Sequence, residues 1–526
     1  MKSIFKAVVL IIFFFISCNS QKKFVVLIRE NDKIIHKSFS DSNRAFIFTQ
    51  KKIKHFIDKG FISAYYVKKN DSIFIYRNER FFFDTLKIEN FPSYSFKPSV
   101  ANFFRLHKYL KSLTAHYWET GYPFASMQID TLIFNNNKIS VYAIFSPGMY
   151  VKFGKIHIRS KIVSEKFIKA YLRIKTDKPF DIQKVQNIDK NINNLDFMRI
   201  DKKSRVEFKK NYADLYIYPK KVKANNITGL LGFQNKRGKL QTIGEIKLKL
   251  VNIFKLAEVL DFQWNKTDTK SQKLNFNLFY PYIYGSYLGV NFSLQVEKQD
   301  SSFVNFSYAP SLQYFFSGMN RISFTYEHCT GIKLAENSQS QNFRQVLYGG
   351  GFKIHNRRDF TSKKGYAVEL MTMAGYKYYD LKKYSRKKVV FTSEFFIPIY
   401  RSFVLRQKFY YAELFGNDIA YNELFAIGGI NNLRGFKERE FFLKRYFIVS
   451  SEIHYFFNSN SSFFLLYDHG LLSALKQSYY TQTLGLGLRL RSKNNELILI
   501  LANGKVDNNP FLFSNTKLHI GLRSFF

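Results

Sequence analysis

From about residue 222 to residue 526, apolar and polar residues alternate one for one, segment after segment. In the stretch GVNFSLQVE, Val290, Phe292, Leu294 and Val296 interleave with Asn291, Ser293, Gln295 and Glu297. RISFTYE alternates Ile322, Phe324 and Tyr326 with Ser323, Thr325 and Glu327, and TLGLGLRLR sets Leu484, Leu486, Leu488 and Leu490 against Gly485, Gly487, Arg489 and Arg491. A period of two gives each strand one apolar and one polar face. Downstream of residue 17 no apolar run reaches eighteen residues, so the sequence offers no transmembrane helix. Any crossing of a membrane must then be made by a closed barrel, because lipid provides no partner for an unpaired strand edge.

Three features favour such a barrel over a soluble sandwich. The array runs without a clear domain break, punctuated by turns such as EKQDSS, KLAENSQSQN and NSNSS. Strands of about ten residues tilted near 40° climb roughly 25 Å, the height of an apolar membrane band. Many segments begin or end in aromatics (FYPYIYGSY, YKYY, FYY, QSYY), drawn from a pool of 59 Phe and 35 Tyr, which suits interfacial girdles. About sixteen antiparallel strands fit the region 222–526.

The N-terminus, MKSIFKAVVLIIFFFISCNSQKK, has Lys2 and Lys6 followed by an apolar run from Ala7 to Ile16. This is the layout of a secretory signal, assigned to residues 1–17, and it sends the chain out of the cytoplasm. FISC resembles a bacterial lipobox, which makes Cys18 the lipidation site. With Cys329 as the second of only 2 cysteines, there is no disulfide framework and no zinc-type spacing. The formal charge of +42 raises nucleic acid as a partner, but the basic residues are scattered and no nucleic-acid-binding signature is present, so that class is set aside. No catalytic constellation, cofactor motif or metal-ligand spacing is present, and the expectation is a protein that is not an enzyme, with no cofactor and no metal.

Between residue 18 and residue 221 the pattern changes to short strands mixed with helical periodicity. Residues 148–221 give a strand (YVKFGKIHIR), two helices begun by Ser164 and Asp181 as N-caps, and a hairpin (RVEFKKN, DLYIYP). This order resembles a polypeptide-transport-associated (POTRA) module. Residues 81–147 repeat it with DTLKIEN, a helix across ANFFRLHKYLKSLTAHYWETG, PFASMQID and KISVYAIF, and residues 18–80 hold a shorter possible unit with FVVLIRE, a helix at KKIKHFIDKG, FISAYYVKK and SIFIYR. The fold class expected is therefore α+β repeats followed by an all-β transmembrane barrel.

Within the barrel region, GGINNLRGF resembles the signature of a loop folded into the lumen in the BamA/TamA family of outer-membrane assembly barrels, of the bacterial surface antigen type. The matching residues are Gly428, Gly429, Leu433, Arg434, Gly435 and Phe436. A guanidinium inside a barrel must be paired, and its planar fork suits carboxylates. The resemblance places the acidic partners on the following strands, where SSEIHYFF holds Glu452 and FFLLYDHG holds Asp468 with the strand-motif glycine Gly470. HNRRDFTSKKG, with Asp359, looks like an early-barrel family stretch but lacks its proline, so Asp359 is given no role. The terminal TKLHIGLRSFF, ending on Phe526, resembles the C-terminal strand that barrel-assembly machinery reads.

The resemblance implies a lipid-anchored, TamA-like outer-membrane protein that binds unfolded outer-membrane client chains through its POTRA modules and inserts or translocates them through a lateral seam. It leaves room for an inner-membrane-anchored periplasmic partner. The alternatives left open are an outer-membrane pore and a two-partner-secretion transporter.

Overall fold

The computed structural model describes residues 24–30, 33–236, 239–266, 270–356 and 363–526. The signal segment 1–17, Cys18 and Asp359 lie outside the described residues. Among the described residues no helix is long and apolar enough to cross a membrane.

Sixteen antiparallel strands close into a barrel, from Asn226–Lys236 to Thr516–Phe525. Strands are joined to their sequence neighbours throughout, with one long excursion of residues 416–444 between the eleventh strand, Phe403–Phe415, and the twelfth, Arg445–Phe456. The alternation seen in the sequence maps onto the two faces. On the thirteenth strand, Ser462–Ser473, residues Phe463, Leu465, Tyr467 and Leu471 are exposed on the outer face, while Phe464, Leu466, Asp468 and Gly470 point inward and are buried. Ile322, Phe324, Leu484, Leu486, Leu518, Ile520 and Leu522 also stand outward and exposed. An apolar belt this continuous is stable only against an apolar surrounding.

The last strand closes on the first by two residue pairs, Asn226 with Phe525 and Ile227 with Ser524. A further bond runs from the Phe526 N–H to the Asn225 carbonyl at 3.0 Å. By contrast, the last strand makes nine register pairs with its other neighbour, Asn495–Val506, and the first makes eleven with Lys239–Val251. Among the described residues, Thr228 to Lys236 and Thr516 to Arg523 therefore face the seam without a register partner across it.

The N-terminal part holds three small α/β units. The first has strands in the order Lys33–Phe39, Phe24–Glu30, Ser72–Tyr76, Tyr65–Lys69, with the middle pair parallel, and a helix over Ser42–Asp58. This departs from the sequence expectation by an added strand, Lys33–Phe39, and by a helix that begins nine residues before Lys51. Asp41 is the reason: its carboxylate accepts from the N–H groups of Asn43 and Arg44, so the segment that reads as a loop is a helix start. The second unit orders its strands Ser99–Val100, Phe82–Glu89, Lys138–Ser146, Ser126–Asn135 against a helix over Phe103–Glu119. Ile139, Val141, Ala143 and Phe145 meet Leu106 and Leu110 in its core.

In the third unit the sheet order is Met198–Lys209, Tyr212–Lys221, Lys152–Ile158, with helices Glu165–Leu172 and Ile182–Asn193. Ser164 caps the first helix by accepting from the Phe167 N–H at 3.3 Å. The first helix and the residues beside it clasp three turns at the near end of the barrel. The Asn252 amide donates to the Ile162 carbonyl at 2.9 Å, Arg173 donates to the Phe315 carbonyl at 2.6 Å, and Tyr282 stacks on Phe315 while meeting Tyr171 edge-on.

Asp214 ties this sheet together. The Lys155 N–H donates to its carboxylate at 2.7 Å and the Lys209 ammonium sits 3.1 Å away. Burial pushes this carboxyl up, but the Lys155 N–H and the Lys209 charge outweigh it and hold the group below its usual range. A depressed carboxyl stabilises the fold above its unfolded value, about 3.9, and loses that contribution as pH falls through the lower folded value. Asp214→Asn is expected to cost about 1 kcal/mol at neutral pH, the net worth of one hydrogen bond, with the difference from wild type vanishing once acid has protonated Asp214, because the amide does not titrate. Hydrogen exchange at residues 152–158 of the full chain, at neutral and acidic pH, measures it.

Candidate functional site

The excursion 416–444 folds back into the barrel. Its stem is a two-stranded ribbon, Phe425–Ile427 with Phe441–Leu443. At the tip the chain must turn sharply, and it does so at glycines. Gly428, Gly429 and Gly435 have φ of 134°, 94° and 79°. The Asn432 side chain accepts from the Gly428 N–H at 3.0 Å, and the Gly429 N–H donates to the Leu433 carbonyl at 3.0 Å, which closes the turn. Leu433 and Phe436 then enter an apolar cluster with Ile427, Leu443, Ile448 and Leu472, anchoring the tip against the inner wall.

Between those two anchors Arg434 turns its guanidinium into the wall, and it is 5% exposed. Its Nε donates to Asp468 Oδ2 at 2.8 Å, Nη1 to Glu452 Oε1 at 2.5 Å, and Nη2 to Ser450 Oγ at 2.6 Å and to Asp468 Oδ1. The Arg434 backbone N–H also reaches Asp468 Oδ2 at 3.3 Å, and the Thr483 hydroxyl donates to the Arg434 carbonyl at 2.7 Å. Asp468 is fully buried and Glu452 is 1% exposed. The fork thus bridges the twelfth and thirteenth strands, and the backbone is tied to the fourteenth, Ser478–Arg491.

Glu452 is shared. It also accepts from both Arg406 contacts, at 2.8 and 3.0 Å, and from His454 at 2.7 Å, while Arg406 reaches Glu394 at 2.7 Å. Every hydrogen bond to the Asp468 carboxylate among the described residues comes from Arg434.

Two glycines make room for the loop. An added Cβ at Gly435 would lie 2.7 Å from the Gly504 nitrogen, and one at Gly504 would lie 2.7 Å from the Phe436 ring. Gly504, in the fifteenth strand, carries no motif in the sequence and is recognised only by this close approach. Gly470 sits on the inward face beside Thr481, whose hydroxyl an added Cβ would meet at 2.5 Å. Gly435→Ala combines a left-handed backbone, about 1–2 kcal/mol for a side-chain-bearing residue, with a backbone clash. A lower temperature for conversion of the folded to the unfolded band on electrophoresis is the expected result.

Of the sequence-derived site residues, the structure brings together Gly428, Gly429, Leu433, Arg434, Gly435, Phe436, Glu452, Asp468 and Gly470. Phe526 lies apart at the seam, half exposed. Ser450, Thr483, Arg406 and His454 belong to the same network and carry no motif of their own. Beside the network, a cavity of about 580 Å³ extends to the seam, lined by Arg434, Glu452, Lys408 and Glu496 at one side and by Thr228 and Leu522 at the other.

No protein-family model and no curated protein matches this chain. Among solved structures, CdiB from Escherichia coli superposes with a TM-score of 0.55 at 11% identity, over 92% of this chain and 97% of that one. CdiB from Acinetobacter baumannii gives 0.52 at 12% identity, over 85% and 91%. The chain has the CdiB fold. BamA from Haemophilus ducreyi lacking POTRA domains 1–3 aligns at a TM-score of 0.44 and 13% identity, over 80% of this chain and 94% of that one.

Proposed function

We propose that this protein resides in the bacterial outer membrane and inserts or translocates other polypeptides there, with its N-terminal units on the periplasmic side and a lipid anchor at Cys18. The observation that carries this reading is a barrel closed by two residue pairs beside a loop pinned in its lumen. An ordinary pore needs neither. A strand edge left unpaired over most of its length is a template for another strand. A client segment can pair with Thr228–Lys236 or Thr516–Arg523, grow there, and leave sideways into lipid, which is templating and not bond chemistry.

Client capture would begin on the N-terminal units. Ser126–Asn135 is a ten-residue edge strand with Ile129, Ile133 and Phe134 exposed, which suits strand addition by an extended chain. The second reading, passage of a secreted chain through the lumen, is favoured by the mixed-charge cavity that adjoins the seam.

The test uses the full chain in liposomes with a urea-unfolded outer-membrane barrel as client. Insertion read as protease-resistant folded client should run faster than in empty liposomes. Equal rates would overturn the insertion reading.

A further inference from the structure

The pin at Arg434 holds only the tip of the loop. Its leading limb, Gly416–Leu424, meets a second buried ion cluster, formed at the far end of the barrel where odd-numbered strands finish. Lys377, near the end of the ninth strand (Gly365–Tyr379), and Arg386, near the start of the tenth (Lys382–Tyr400), are both fully buried. Glu423 bridges them. Lys377 Nζ donates to Glu423 Oε1 at 2.8 Å, and Arg386 Nε donates to Glu423 Oε2 at 2.7 Å.

The same two cations hold the limb's backbone. Lys377 donates to the Asp418 carbonyl at 2.7 Å, and Arg386 to the carbonyls of Asn417 and Asp418 at 3.1 and 3.2 Å. An amide clasp continues the seal: Asn305 donates to the Asn422 carbonyl at 2.5 Å, and Asn422 and Gln341 exchange two bonds at 3.1 Å. On the trailing limb, Arg439 pairs with Glu297 of the fifth strand, Leu288–Gln299. The loop is therefore fastened to the fifth strand, to the sixth (Phe303–Ser317) through Asn305, and to the ninth and tenth at the mouth, and to the twelfth to fourteenth deeper in the lumen, so it crosses the opening.

Two cations this deeply buried are costly to hold unless a carboxylate neutralises them, so Glu423 is the member on which the cluster depends. We infer that Glu423 is a second pin, which holds residues 416–424 as a lid across the far mouth of the barrel independently of Arg434. The inference needs only a barrel in a bilayer and stands whether or not the protein assembles clients.

The test is ion current through the purified full chain in planar bilayers. Glu423→Gln keeps the shape and removes the charge. It is expected to raise open-channel current several-fold over wild type, with the folded electrophoretic band retained, and Glu423→Asp should fall between the two. Wild-type current from a folded Glu423→Gln barrel would overturn the proposal. Should that variant not fold, Asn422→Ser, which loosens the amide clasp and leaves the ion pairs, is read the same way: raised current supports the lid and unchanged current refutes it. If neither variant folds, the limb is a folding element and not a lid, which also overturns it.

Discussion

Arg434→Ala is expected to unseat the loop tip and abolish complementation of a depleted strain, while the barrel still reaches the membrane. The physical reason is the asymmetry between its two carboxylates. Glu452 keeps Arg406 and His454 when the guanidinium is gone. Asp468 loses both of its side-chain donors, keeps only the longer backbone N–H contact at position 434, and remains fully buried. Leaving one charge of such a pair behind costs about 3–5 kcal/mol, more than the tip's apolar contacts can absorb without moving. Arg434→Lys should rescue little, because a single ammonium cannot address Asp468, Glu452 and Ser450 from one position. Asp468→Asn should be milder than Arg434→Ala, since it removes a buried charge together with its pairing. The folded-band melting temperature and complementation read both effects; a lysine variant equal to wild type would show that charge alone suffices.

The second large effect concerns the seam. Ile227 and Ser524 are register partners across it, and antiparallel partners lie about 4.5–5.5 Å apart at Cα, within disulfide reach. The double variant Ile227→Cys, Ser524→Cys is expected to be inactive when oxidised and restored by reductant. Opening must break two residue pairs and the Phe526–Asn225 bond at this junction, against nine residue pairs at the neighbouring one, so the seam is the weaker line. A covalent bond there removes that ease. Full activity of the oxidised, cross-linked protein would exclude lateral opening.

The barrel was legible because its signal is repeated: alternation in strand after strand, with no competing helix, leaves one architecture. Arg434 was legible because glycines, an arginine and an aromatic stand together in nine residues, and the carboxylates follow on the next two strands. The second pin was not. Glu423 lies 46 residues from Lys377 and 37 from Arg386, and each reads alone as a loop or strand charge; only the pairing of neighbouring strands and the inward fold of the loop bring them within 3 Å. The helix start at Asp41 was missed for a local reason, since FSDSN has turn composition and its cap shows only in the hydrogen bonds. Gly504 likewise gives no sign in sequence of the ring that packs against it.

Quantitative outer-membrane proteomics after depletion of this protein, with rescue by wild type and by Arg434→Ala, tests its role most directly. Loss of a set of barrel proteins or surface lipoproteins, restored by wild type and not by the variant, is the expected result. An unchanged outer-membrane proteome, accompanied by altered passage of small solutes, would contradict it and make the barrel a conduit.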